Sequence, residues 1–196
     1  MKTRQTEVVR NMTLTAMFTA VVILLQFVGS FIKFGTFSVS LVLLPIVVGA
    51  ALCGPMAGMW LGLVFGVTVL LSGDAAFFLT YSVPGTIITV ILKGMLCGLC
   101  AGLVYRALEK KNKILASVAA AIVCPIVNTG VFLCGCLIFF MDAVGTLAED
   151  MNAYLYLIVG FVGGNFIFEL LINSILSPVI VRVIGIGEKY FQEKRK

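Results

Sequence analysis

From Phe34 to Gly73 the chain carries no charged side chain, and inside that stretch CGPMAGMWLGLVFG sets Gly54, Gly58, Gly62 and Gly66 four residues apart. Both features restrict what the chain can become. A soluble domain is roughly 45–50% apolar and about 25% charged, whereas these 196 residues are 61% hydrophobic and 12% charged. A core of this size cannot hide that much apolar surface, so the solvent is lipid. With no water to satisfy the backbone, long continuous apolar runs must become helices. Glycine costs about 1 kcal/mol relative to alanine in a helix interior. Its recurrence on one stripe therefore marks a place where a second helix approaches backbone to backbone.

A crossing takes about twenty apolar residues, and Met12–Ile32, Pro84–Tyr105, Ile114–Met141 and Tyr154–Ile184 all supply them. Val39–Leu71 would be roughly 50 Å long as one helix at 1.5 Å per residue, too long for one span and short for two. Gly54-Pro55 sits at its middle, where proline removes an amide donor and glycine relaxes the backbone. Charge decides the count. Two spans there place Lys2, Arg4, Arg10, the loop Arg106–Lys113 and the tail Glu188–Lys196 on one side. Twelve of the fourteen Lys and Arg residues then share that side, leaving Lys33 outside and Lys93 within the membrane, while Asp74, Asp142, Glu149 and Asp150 fall on the outer side. Positive charge accumulates on the cytoplasmic face. The expectation is an all-α integral membrane protein, multi-pass in the cell (plasma) membrane, with both termini cytoplasmic. It is a single membrane domain over residues 1–196 with six transmembrane helices, at about 12–32, 38–53, 56–72, 84–106, 114–141 and 154–184. The basic head resembles a signal peptide, but its apolar part exceeds the 7–15 residues of such a segment and no clean A-x-A site follows. It reads as a retained first helix.

Several chemistries are excluded. There is no G-x-x-x-x-G-K-[ST] loop, no HExxH and no histidine, so neither P-loop ATP hydrolysis nor histidine-based metal chemistry is expected. No catalytic residues, metal or cofactor are predicted for this chain. The net charge of +5 sits in clusters flanking the spans rather than on a nucleic-acid-binding face. Cys97 with Cys100, and Cys134 with Cys136, lie in apolar runs and read as free thiols packing as small hydrophobes.

Ionisable groups at membrane depth are costly and mark function, and only Lys93 and Glu169 lie away from the span ends. Asn165, Asn173 and Ser177 share a helical face with Glu169, and Asn128 and Thr129 follow Pro125, which frees a backbone carbonyl. Two readings stand. Lys93 and Glu169 form a buried pair with the asparagines as interhelical glue, or the last three helices line an outward-opening pocket where Lys93 attracts an anion. Outer segments Lys33–Gly35 and Gly73–Gly85 suggest a lid; Phe77, Phe78 and Tyr81 there read as an interfacial belt or a ligand platform. Trp60 reads as belt or packing. The candidate ligand-binding set is Lys33, Tyr81, Lys93, Asn128, Thr129, Asn165 and Glu169.

Gly94, Gly98 and Gly102 repeat the four-residue stripe, so Gly54, Gly58, Gly62, Gly66, Gly94, Gly98 and Gly102 are expected to pack helices within the bundle. Ala16 and Ala20 form an AxxxA on the first helix, whose one strongly polar residue is Gln26, a plausible docking face. This AxxxA, six short helices, an inside–inside topology and the absence of an ATPase motif resemble the substrate-binding S component of energy-coupling factor (ECF) transporters. VSLVLLPIVVGAALCGPMAGMWLGLVFG, PIVNTGVFLCGCLIFF and NFIFELLINSILSPVIVRVI are similar to that family. The resemblance implies capture of a water-soluble vitamin or related micronutrient, with pantothenate the first choice and folate the second. It also implies docking through Ala16 and Ala20 onto a membrane coupling subunit carrying two cytoplasmic ATPases, with the lid segments closing the site and the whole component toppling to release its ligand inward. A stand-alone carrier for a small anionic solute, proton-linked through Glu169, is the alternative, and a structural subunit without ligand a third.

Overall fold

The computed structural model describes residues 2–31, 33–34, 37–38, 41–148, 151–157, 159 and 166–193. Helix α1 (Lys2–Phe31) is followed by the two-residue strands β1 (Lys33–Phe34) and β2 (Phe37–Ser38), which pair antiparallel with Lys33 opposite Ser38. Then come α2 (Leu43–Cys53), α3 (Pro55–Ser72), the short α4 (Ala76–Tyr81), α5 (Val83–Leu108) and α6 (Lys113–Phe139). The short α7 (Met141–Ala148) and α8 (Ala153–Tyr156) precede α9 (Ile167–Glu193). Among the described residues, four helical segments are long and apolar enough to cross a membrane: Val8–Ser30, Pro55–Ser72, Val83–Leu108 and Lys113–Phe139, with Leu43–Cys53 a shorter apolar helix.

Local chemistry sets the element ends. Ser82 caps α5 by accepting from the Gly85 amide at 3.2 Å, with proline in the first turn. Asn112 caps α6 by accepting from the Ile114 and Leu115 amides at 2.9 and 3.1 Å, which satisfies donors no helical carbonyl can reach. Gly73 ends α3 in the left-handed conformation at φ 84°, a role suited to glycine. Between α2 and α3 stands Gly54 with φ 99° and ψ 170°, a region essentially closed to other residues, and Pro55 then opens α3 where a missing amide costs nothing.

Helix α5 packs most extensively on α3 and α6; α1 lies against α2 and α3, and α9 against α6 and α2. The α3–α5 contact is made by glycine on both sides. A β-carbon on Gly62 would run into the Gly94 carbonyl, and one on Gly94 into the Gly62 carbonyl; Gly58 and Gly98 stand in the same mutual relation. At the ends of this seam, a β-carbon on Gly66 would sit 2.8 Å from the Val90 oxygen and one on Gly102 2.6 Å from the Pro55 α-carbon. The helices are thus antiparallel and in backbone contact over most of their shared length. Gly54 departs from the packing role expected of it. Nothing lies within 4 Å of where its β-carbon would be, because the Gly54-Pro55 break takes it out of the helical stripe and makes it a turn residue.

Buried apolar side chains form a central cluster, with Ile46, Leu61, Phe65, Cys97, Ala101, Tyr105, Ala120 and Cys124. A smaller one gathers Cys136, Phe140, Ala143, Val144 and Leu157 under α7. All six cysteines are free thiols.

Replacing Gly62 with alanine is expected to destabilise the protein by about 1–3 kcal/mol, since overpacking here meets backbone and no side chain can give way. Gly54→Ala should cost a similar amount through backbone strain alone. Gly130→Ala, whose site is open, should leave the melting temperature in detergent unchanged or raise it. Equal melting temperatures for all three variants would contradict the seam.

Candidate ligand-binding site

The residue after Lys93 is Gly94, one of the seam glycines, so the α3–α5 contact turns position 93 by about 100° away from the closest approach. Lys93 still reaches a ring of α3. Its Nζ lies 5.7 Å from the centroid of Phe65 and 5.1 Å from that of Phe132 on α6. The cation therefore sits between an aromatic ring of the central cluster and one that packs against the smaller cluster. Rings within about 6 Å attract a cation through their quadrupole. Glu169, 4% exposed, stands in the first turn of α9.

Several polar residues of these helices are buried rather than lipid-facing: Asn128 of α6 is 6% exposed and Thr129 8%, and Thr86 and Thr89 of α5 are buried. The Asn173 amide donates to the backbone oxygen of Glu169 at 2.9 Å, one turn along α9. Among the described residues, the side-chain oxygens of Asn128 and Asn173 accept no hydrogen bond. Gly135 lets α6 close over Thr89, whose side chain occupies the space a β-carbon would need.

The remaining expected site residues are placed differently. Tyr81 stands at the exposed end of α4 with its hydroxyl 2.8 Å from that of Thr146 on α7, so it ties two outer helices together. Lys33 lies in β1, with its side chain outside what is described, and Gly35 and Asn165 fall outside the described residues. Gln26 is 4% exposed, and its amide donates to Asp74 at 2.6 Å, fastening α1 to the end of α3. Ala16 and Ala20 are both exposed on α1. Ala16 lines an open groove of about 540 Å³ with Met12, Cys53, Met56 and Trp60. Trp60 is half exposed and donates to Thr19 at 3.2 Å.

Phe65 and Phe132 are neighbours of Lys93 that sequence reasoning passed over. One signal was present: Phe132 follows Asn128 by four residues, which places both on one face of a helix.

In comparisons with known proteins, the family model described as "ECF transporter, substrate-specific component" matches residues 10–181. No curated protein and no solved structure matches the chain.

A buried amide oxygen without a donor costs about 1–3 kcal/mol. Asn128→Leu, close in shape, is therefore expected to raise the melting temperature of the ligand-free protein. A fall would instead mark Asn128 as interhelical glue.

Proposed function

The chain belongs to the family of ECF transporter substrate-specific components, and on that premise we propose that it captures a small carboxylate-bearing micronutrient from outside the cell. Substrate-specific components of this kind bind solute and are not themselves enzymes; the family associates with a membrane coupling subunit and ATPases. The reading for this chain is six spans in the plasma membrane with both termini cytoplasmic, supported by the side on which twelve of fourteen Lys and Arg residues gather. ATP hydrolysis resides in two cytoplasmic partner chains. Ala16 and Ala20 meet the coupling subunit, an assignment supported by their exposure on α1 and by the value of small residues in close helix contacts within lipid.

The observation that carries the ligand assignment is Lys93 held between Phe65 and Phe132. A cation retained at membrane depth marks a functional site, and an ammonium recognises a carboxylate by a charge-assisted hydrogen bond. Asn128 supplies a neutral acceptor for a hydroxyl or amide of the same ligand, and Thr129, Lys33, Tyr81 and Asn165 complete the proposed contacts. Glu169 balances Lys93 when the site is empty. Pantothenate, which joins a carboxylate to hydroxyl and amide groups, is the first choice, and folate the second.

A thermal-shift screen of the detergent-solubilised chain against pantothenate, folate, riboflavin, thiamine, biotin and niacin tests this. A nanomolar ligand at micromolar concentration adds about 4 kcal/mol of stability. Lys93→Ala is expected to weaken a carboxylate ligand about tenfold to a hundredfold. Saturable uptake by this chain alone, collapsing with the proton gradient, would instead favour a proton-linked carrier working through the buried Glu169.

A further inference from the structure

Phe132 makes contacts of different kinds. On one side its ring centroid is 5.1 Å from the Lys93 ammonium. On the other, Phe78 of α4 meets it edge to face, with centroids 5.4 Å apart and planes at 85°. From Phe78 the aromatic contacts continue outward. Phe140 lies 5.1 Å away at the start of the smaller core cluster, and Phe77 lies 5.4 Å away in an edge-to-face pair. Phe77 in turn touches Tyr81 at 5.4 Å, and the Tyr81 hydroxyl bonds Thr146 of α7. A continuous path thus runs from the cation in the span to the two short helices at the outer end.

These contacts share one ring. An edge-to-face pair sets the positive edge of one ring against the negative face of another, and a cation seeks such a face as well. Phe132 supplies its quadrupole to both neighbours, so each contact depends on the orientation the other imposes. Phe78 is an α4 ring that meets Phe132 on the α6 side of the site, and α4 is also held by Tyr81–Thr146 and by the cluster under α7.

We propose that Phe132 is a positioning residue joining the Lys93 ammonium to the α4–α7 cover, so that the cation is held in place only while the cover is seated. Lys93 acts on the solute and Phe132 acts through Lys93. The functional meaning rests on the reading of Lys93 as a ligand contact, whereas the test needs no ligand.

The full-length chain in detergent is treated with sulfosuccinimidyl acetate, a water-soluble acetylating reagent, and the rate at Lys93 is followed by peptide mass spectrometry. Lys110 and Lys111, both exposed, are the internal reference. Wild-type Lys93 is expected to react more slowly than they do. Phe132→Leu, which keeps an apolar side chain and removes the ring, is expected to speed Lys93 acetylation roughly two- to fivefold. Phe132→Tyr, which keeps the ring, is expected to restore the wild-type rate. Phe78→Leu should give a similar acceleration, and the double variant Phe78→Leu/Phe132→Leu no more than the larger single effect, as contacts sharing one partner are non-additive. An unchanged Lys93 rate in Phe132→Leu, a tyrosine variant behaving as leucine, or fully additive effects would overturn the proposal. Should Phe132→Leu fail to fold, Phe78→Leu and Phe132→Tyr still decide it. A chain that binds none of the screened vitamins would still show the coupling, so the two readings fail separately.

Discussion

The contact on which the rest depends is the glycine seam between α3 and α5. Gly58 against Gly98 and Gly62 against Gly94 bring carbonyl groups of one helix to the position a β-carbon would take on the other. In lipid no hydrophobic force draws apolar helices together, so close van der Waals approach does that work. The seam fixes the rotation of α5 as well as its distance. With Gly94 and Gly98 committed to α3, Thr89 and Lys93 are turned so that Thr89 meets Gly135 of α6 and Lys93 stands between Phe65 and Phe132. The site is thus a by-product of a packing constraint one residue away.

Retaining a lysine there is not a stability device. A charged side chain near the centre of a span costs about 2.5–3.5 kcal/mol on insertion scales. A ring contact returns about 0.5–2 kcal/mol, so the two rings at 5.1 and 5.7 Å bring the balance close to even. An apolar residue would achieve the same stability with none of these partners. The proposed role of Lys93 in binding a solute would account for its retention in a chain of the substrate-specific component family.

Polar and aromatic contacts also link the end of α3 and the short α4 to the rest of the bundle. Gln26 on α1 holds Asp74 at the end of α3, and Phe78 on α4 reaches Phe132. Neither link resembles a motif. Gln26 and Asp74 lie far apart in the chain, and a phenylalanine inside an apolar run has the same composition whether it faces lipid, core or a cation. That is why Phe65 and Phe132 were illegible while Lys93 and Glu169, rare charges in such runs, stood out at once.

The sequence by itself determined the solvent, the helical character and the places where helices touch through backbone, because hydropathy and glycine spacing are local properties. It also singled out Lys93, Glu169, Asn128 and Asn173, since a polar group in an apolar run needs a reason wherever the chain goes. Spacing could not separate Gly54 from Gly58, Gly62 and Gly66; only the fold shows that the first turns the chain at φ 99° while the others admit a neighbour. Likewise only the fold shows the Tyr81 hydroxyl on Thr146. What a side chain meets across a helix interface depends on the rotation and register of both partners, and those quantities exist only once the bundle is assembled.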